Sequence, residues 1–207
     1  MKNIIPAVVF ITLFSEKILA DSPLTETYFY AFYTEHEIVN YAIIGTLDDK
    51  IAEYLLDDKN LIDVKAAVIN AMGWGYEGKG NANLFRNYLA KRKGTTPEAV
   101  MTSELSGSEL MCLGYLMAMD NTFEVDAALE ILDMAKLKMP KSFAINMLWT
   151  LVKSQKEFET NFCNVWGYTR SMINNKTLKR DMKTAAIQSV VNYLILYKPY
   201  CSLDTEE

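Results

Sequence analysis

Asp63-Val64-Lys65-Ala66-Ala67-Val68-Ile69-Asn70-Ala71-Met72-Gly73 is the stretch on which the fold turns. It has no proline, sets alanines among aliphatic residues and closes on glycine. It therefore reads as the body of a helix over residues 61–74. Its small side chains let a partner helix approach closely. Asp63 and Lys65 stand at its start, where they can satisfy neighbouring loops or each other.

Working back from that helix, Thr46 is placed to cap a helix over 47–56, with Asp48 and Asp49 at its positive end. Ser22 is placed to cap an earlier one that begins on Pro23, carries Glu26 in its first turn and runs to Gly45. Working forward, Gly75, Gly78 and Gly80 mark a loop. Residues 81–93 follow as a helix with Lys91, Arg92 and Lys93 at its C-terminal end. Thr96-Pro97-Glu98 opens a short helix. Ser106 and Glu109 form a capping box ahead of the apolar run 110–119. Thr122 starts a helix that stops before Pro140, and Ser142 starts the next. Ser154 and Glu157 read as a second capping box, opening a helix that ends near Asn174-Asn175. Thr177 starts the last helix, which stops before Pro199. No run of alternating apolar residues is flanked by hairpin turns. The connections are short, so neighbouring helices are expected to pack antiparallel. The predicted fold is all-α, an irregular stack of antiparallel helix pairs.

Asp181-Met182-Lys183-Thr184-Ala185-Ala186-Ile187-Gln188-Ser189-Val190 repeats the Asp, Lys, Ala and Ile of the opening stretch at the same offsets. Both stretches resemble the second helix of a HEAT-type repeat: an acidic residue, an aliphatic, a basic residue, small residues and a Leu-Gly close. The resemblance implies stacked helix pairs, with 47–56 as the first helix of one pair. A fixed period of about 40 residues is not evident. A HEAT-like helical repeat and a plain helical bundle both remain open.

The N-terminus is a second signal. Met1-Lys2-Asn3 gives a short positive start, residues 4–14 are apolar apart from Thr12, and Ser15-Glu16-Lys17-Ile18-Leu19-Ala20 ends on a small residue. This is the layout of a secretory signal peptide cut after Ala20. The alternative is a buried core helix, since the run is shorter than the ~20 residues of a membrane span. The expected organisation is a signal peptide at 1–20 and one all-helical domain at 21–207, placed in the periplasm or secreted.

The chain carries 21 Lys and Arg against 26 Asp and Glu, a formal charge of −5. The cut would remove two lysines and one glutamate, giving −6. Such a surface disfavours nucleic acid and anionic membranes as partners and steers a basic protein. Lys91-Arg92-Lys93 is too short for a nucleic-acid footprint. Of the three cysteines, Cys112 sits in an apolar run and reads as a core thiol. Cys163 and Cys201 can bridge if the tail folds back after Pro199. No CxxC occurs.

Assembled chemistry is scarce. His36 is the only histidine, flanked by Glu35 and Glu37. Helical neighbours one apart point in different directions, so this trio reads as a solvated face. A multi-histidine zinc site is excluded, and no GxSxG motif accompanies a triad. Asp48 with Asp49, Asp57 with Asp58, and Glu124 with Asp126 are carboxylate pairs by type, but they sit at helix starts and turns. Gly73, Gly78 and Lys79 meet the GxxxxGK spacing, yet Gly80 stands where a P-loop needs Ser or Thr, and the stretch follows a helix. It reads as a helix end and loop in which Trp74 and Tyr76 could anchor a partner. Tyr28, Phe29, Tyr30, Phe32 and Tyr33 form a wide apolar stripe. It packs onto the stack or lines a binding groove, with Tyr28, Tyr30 and Tyr33 as contacts. Trp149, Trp166 and Tyr168 read as core or groove-lining.

No cofactor or metal is implied. The expected function is that of an exported, non-catalytic protein-binding module with a basic protein partner, in its narrowest form a periplasmic immunity-type inhibitor of a toxin. The alternatives are a carboxylate-dependent hydrolase of cell-wall or glycan material, or a carrier of a small apolar ligand.

Overall fold

A computed structural model describes residues 22–73, 80–158 and 160–202. The signal peptide expected at 1–20 and the expected anchors Trp74 and Tyr76 lie outside the described residues. Within them the chain is all-α, with nine α-helices packed on one another and no strand. The helices are α1 (Glu37–Ala42), α2 (Asp49–Leu56), α3 (Ile62–Gly73), α4 (Asn81–Lys93), α5 (Gly107–Asp120), α6 (Asp126–Lys138), α7 (Phe143–Glu157), α8 (Phe162–Asn174) and α9 (Thr184–Leu194). Short 3-10 segments lie at Phe29–Tyr33, Pro97–Ala99 and Thr102–Glu104, and a longer one ends the described chain at Ile195–Ser202.

Several ends are set by local chemistry. The Ser106 hydroxyl accepts from the Glu109 amide while the Glu109 carboxylate accepts from the Ser106 amide, so the capping box is complete at α5. Ser142 caps α7 through the Ile145 amide. Gly94 closes α4 at φ 65°, a left-handed conformation that a side chain would strain.

Elsewhere tertiary bonds overrode the local signals. The single helix expected from Ser22 to Gly45 is instead a turn, the 3-10 segment Phe29–Tyr33 and the short α1. That stretch is rich in aromatic and β-branched residues of modest helix propensity. Asn70 also competes for its backbone: its side-chain carbonyl accepts from the Tyr30 amide and its NH2 group donates to the Thr27 carbonyl. Asp48, not Thr46, caps α2 by accepting from the Ile51 amide. Thr122 precedes its helix, which starts only at Asp126. Ser154 does not open a helix but lies buried inside α7, and Asn161 caps α8 through the Asn164 amide. Thr177 sits in a turn, and α9 starts at Thr184.

Two helices form the centre. In α3 every residue from Asp63 through Met72 is buried, so the helix is enclosed on all sides. In α5 burial extends from Gly107 to Met119 with few breaks. α5 packs against α3, α4, α6 and α7, while α5 to α8 pack each on the next. Close approach of α5 and α6 depends on Gly114. A β-carbon there would lie 2.9 Å from Leu132 Cγ and 3.1 Å from the Ala128 carbonyl oxygen. Gly114→Ala is therefore expected to lower stability by about 1–3 kcal/mol through overpacking. Denaturant unfolding of the two proteins checks this, and an unchanged midpoint would mean that the α5–α6 contact has slack.

The two similar stretches meet at one buried hydroxyl. Tyr33 donates to the Asp63 carboxylate at 2.9 Å and accepts from the Lys183 amide at 3.0 Å. Burial, with the Asp63 carboxylate beside it, pushes the Tyr33 phenol well above its ordinary range. Asp181 accepts from the Ala144 amide in the first turn of α7. Lys65 is buried and bonds Ser108, whereas Lys183 reaches outward to the Phe32 carbonyl and Glu35. The paired Asp and Lys residues thus tie neighbouring elements together, with different partners in each stretch.

Candidate binding cleft

An open cleft of about 570 Å³ is lined by His36, Glu37, Ile38, Lys50, Glu53, Tyr54, Asp57 and Asn60. Three elements build it. His36 is the extended residue just before α1, where the chain turns into the helix, and it lines the cleft. α2 contributes Lys50, Glu53 and Tyr54, three and four residues apart and hence on one face. The turn after α2 contributes Asp57 and Asn60. That turn is fixed by its own bonds: the Asp57 carboxylate accepts from the Lys59 amide at 2.9 Å, and Asn60 donates to the Tyr54 carbonyl at 2.8 Å.

The lining is acidic. Lys50 is its one basic residue, and it is already paired with Glu37 at 3.3 Å and held over the Tyr41 ring at 4.3 Å. His36 Nε2 leans on Glu35 at 3.2 Å. Glu53 and Asp57, both exposed, have no cation within 4 Å among the described residues. Below the cleft, Tyr41 donates to Asp48 at 2.5 Å. Burial raises the Asp48 carboxyl, but the Tyr41 hydroxyl and the Ile51 amide outweigh it and hold the group below the ordinary carboxylate range.

Of the carboxylates paired by type in the sequence, Asp57 lines the cleft, while Asp48, Asp49, Asp58 and Asp126 are engaged elsewhere. Asp48 caps α2, and Asp49 accepts from the Tyr88 hydroxyl at 2.7 Å, which pushes that phenol up to about 12. Asp58 lies 3.8 Å from Arg92, and Asp126 pairs with Lys156 at 2.6 Å. Asp120 is raised by burial and accepts from the Ala82 amide at the start of α4. Among the described residues no group of three or more His, Cys, Asp or Glu is arranged to hold a metal ion.

The aromatic stripe divides. Tyr28 and Phe32 are exposed, and Tyr30 is half-buried against the core. Phe29 and Tyr33 are fully buried, so Tyr33 serves the interior and offers no contact surface. Trp149 and Tyr168 meet edge to face at 6.0 Å, with Lys136 Nζ 3.5 Å over the Trp149 ring. Cys112 is a free, buried thiol that burial pushes up to about 12. Cys163 and Cys201 are joined as a disulfide with their Cα atoms 4.6 Å apart.

The cleft was not singled out from the sequence. Its trace was present in the spacing of Lys50, Glu53 and Tyr54, which one helical face gathers ahead of the turn that carries Asp57, but Glu37 and His36 come from a separate element that the expected long helix concealed. No helix among the described residues is long and apolar enough to cross a membrane. No family model, no curated protein and no solved structure matches this chain.

Proposed function

We propose that this chain works by binding another protein, and that the cleft of His36, Glu37, Glu53 and Asp57 receives a lysine or arginine of that partner. The observation that carries the reading is the pair Glu53 on α2 and Asp57 on the braced turn after it, lining an open cleft with no cation within 4 Å among the described residues. A partner cation there gains charge-assisted bonds to carboxylates that the fold has already positioned. The net charge of −5 favours encounter with a basic surface.

A non-catalytic role fits the engagement of Asp48, Asp49 and Asp126 in caps, hydrogen bonds and ion pairs, and it stands ahead of the carboxylate-dependent hydrolase. Stacked helices present extended surfaces for a partner, and the HEAT-type likeness of 63–73 and 181–190 belongs to this proposal. The narrowest form is an exported, periplasmic or secreted, immunity-type inhibitor of a toxin. The signal-like N-terminus and a disulfide of the kind that persists outside the cytosol support export.

Titration with an oligolysine peptide tests the site. The Glu53→Gln, Asp57→Asn double variant is expected to bind it about tenfold more weakly at low salt and with a shallower salt dependence. Equal affinity of the variant and the parent would remove the cleft from the account.

A further inference from the structure

A second groove, of about 340 Å³, lies between α8 and α9 and is lined by Ile173, Arg180, Thr184, Ile187, Gln188 and Val191. Ile173, Ile187 and Val191 supply its apolar surface. Arg180 is exposed at the groove, and no carboxylate among the described residues lies within 4 Å of it. Its guanidinium is nonetheless oriented. It donates to the Ile173 carbonyl at 3.1 Å and lies over the Phe143 ring at 4.3 Å. A guanidinium has five N–H donors, so most of its donors remain for a ligand. An oriented arginine beside an apolar trough matches a ligand with a carboxylate head and a hydrocarbon tail.

We propose that this groove binds a medium-chain monocarboxylate, its head on Arg180 and its tail along Ile173, Ile187 and Val191. The groove volume falls at the small end of the ~300–1,000 Å³ common for ligand sites, which selects a short tail over a long lipid chain. The site is separate from the acidic cleft and does not depend on the protein-binding reading.

The test is calorimetric titration of the disulfide-bonded chain with octanoate, octanol and octylammonium, each below its aggregation concentration. Octanoate is expected to bind one per chain, octanol about tenfold more weakly or worse, and octylammonium not measurably. Decanoate is expected to bind more tightly than octanoate, by up to about fourfold per added methylene that is buried. Arg180→Gln is expected to abolish the preference of octanoate over octanol. Because Arg180 also braces Ile173 and Phe143, a second variant guards against misfolding. Gln188→Glu changes an exposed side chain that, among the described residues, bonds only Asn192, and places a carboxylate in the lining. It is expected to weaken octanoate several-fold more than it weakens octanol. Absence of octanoate binding to the parent chain overturns the proposal. So does equal affinity for octanoate and octanol, or octanoate binding that both variants leave intact.

Discussion

Replacing Cys163 and Cys201 together by serine is expected to lower the unfolding free energy by about 4 kcal/mol. The bond spans 38 residues of sequence, and closing a loop of that length removes conformational freedom from the unfolded chain on this scale. In the folded state it pins the 3-10 segment Ile195–Ser202 to the first turn of α8. What remains without it is aromatic packing. Phe162 meets Tyr200 at 4.9 Å and Tyr197 at 5.7 Å, and Phe158 meets Tyr197 at 5.5 Å. Denaturant unfolding with and without reductant gives the measurement. Reductant should reproduce the loss in the parent and change nothing in the double variant. Cys112 exchanges poorly while folded, where burial raises its thiol to about 12, but denaturant exposes it, so the unfolding is run at mildly acidic pH, where thiolate exchange is slow. A loss below about 1 kcal/mol would mean that packing alone holds the tail, against the loop-closure argument.

Asn70→Ala should cost about 3–5 kcal/mol, although it removes only a small polar group. Asn70 is wholly buried and serves three partners: it accepts from the Tyr30 amide at 3.0 Å, and donates to the Thr27 carbonyl at 3.2 Å and the Tyr115 hydroxyl at 3.0 Å. Alanine would leave the Tyr30 amide and the Tyr115 hydroxyl without this partner, while the Thr27 carbonyl keeps the Phe29 amide, and each unsatisfied buried group costs about 1–3 kcal/mol. Asn70→Asp sharpens the test. The buried carboxyl resists ionisation, so the folded state holds its proton more tightly than the unfolded chain does. Stability of that variant should therefore be greatest below the unfolded value near 4, and fall as pH rises through the raised folded value. Thermal melts of the variant from pH 4 to pH 8 would show this, and a flat profile relative to the parent would contradict the network.

Asn70 also explains where the sequence was legible and where it was not. Signals confined to a few consecutive residues held: the Ser106–Glu109 box, Ser142 ahead of α7, and the α4 limits Asn81–Lys93. The two serine caps rest on bonds within one turn of chain, whereas the start of α4 is also met by Asp120 through the Ala82 amide. Ser154 with Glu157 satisfied the same pattern and failed, because α7 continued through it and buried Ser154. The helix expected over 22–45 failed for a long-range reason, as Asn70 and Asp63 take the Tyr30 amide and the Tyr33 hydroxyl from 40 and 30 residues away. The cleft was half legible on the same principle. One helical face carries Lys50, Glu53 and Tyr54, but the approach of His36 and Glu37 depends on the break before α1.

The protein-binding account is tested most directly by affinity capture with residues 21–207, run in parallel with the Glu53→Gln, Asp57→Asn variant on the same extract. The account predicts one basic protein recovered in stoichiometric amount by the parent and strongly depleted with the variant. Recovery of the same partner in equal amount by both proteins would contradict it, because Glu53 and Asp57 would then have no part in recognition.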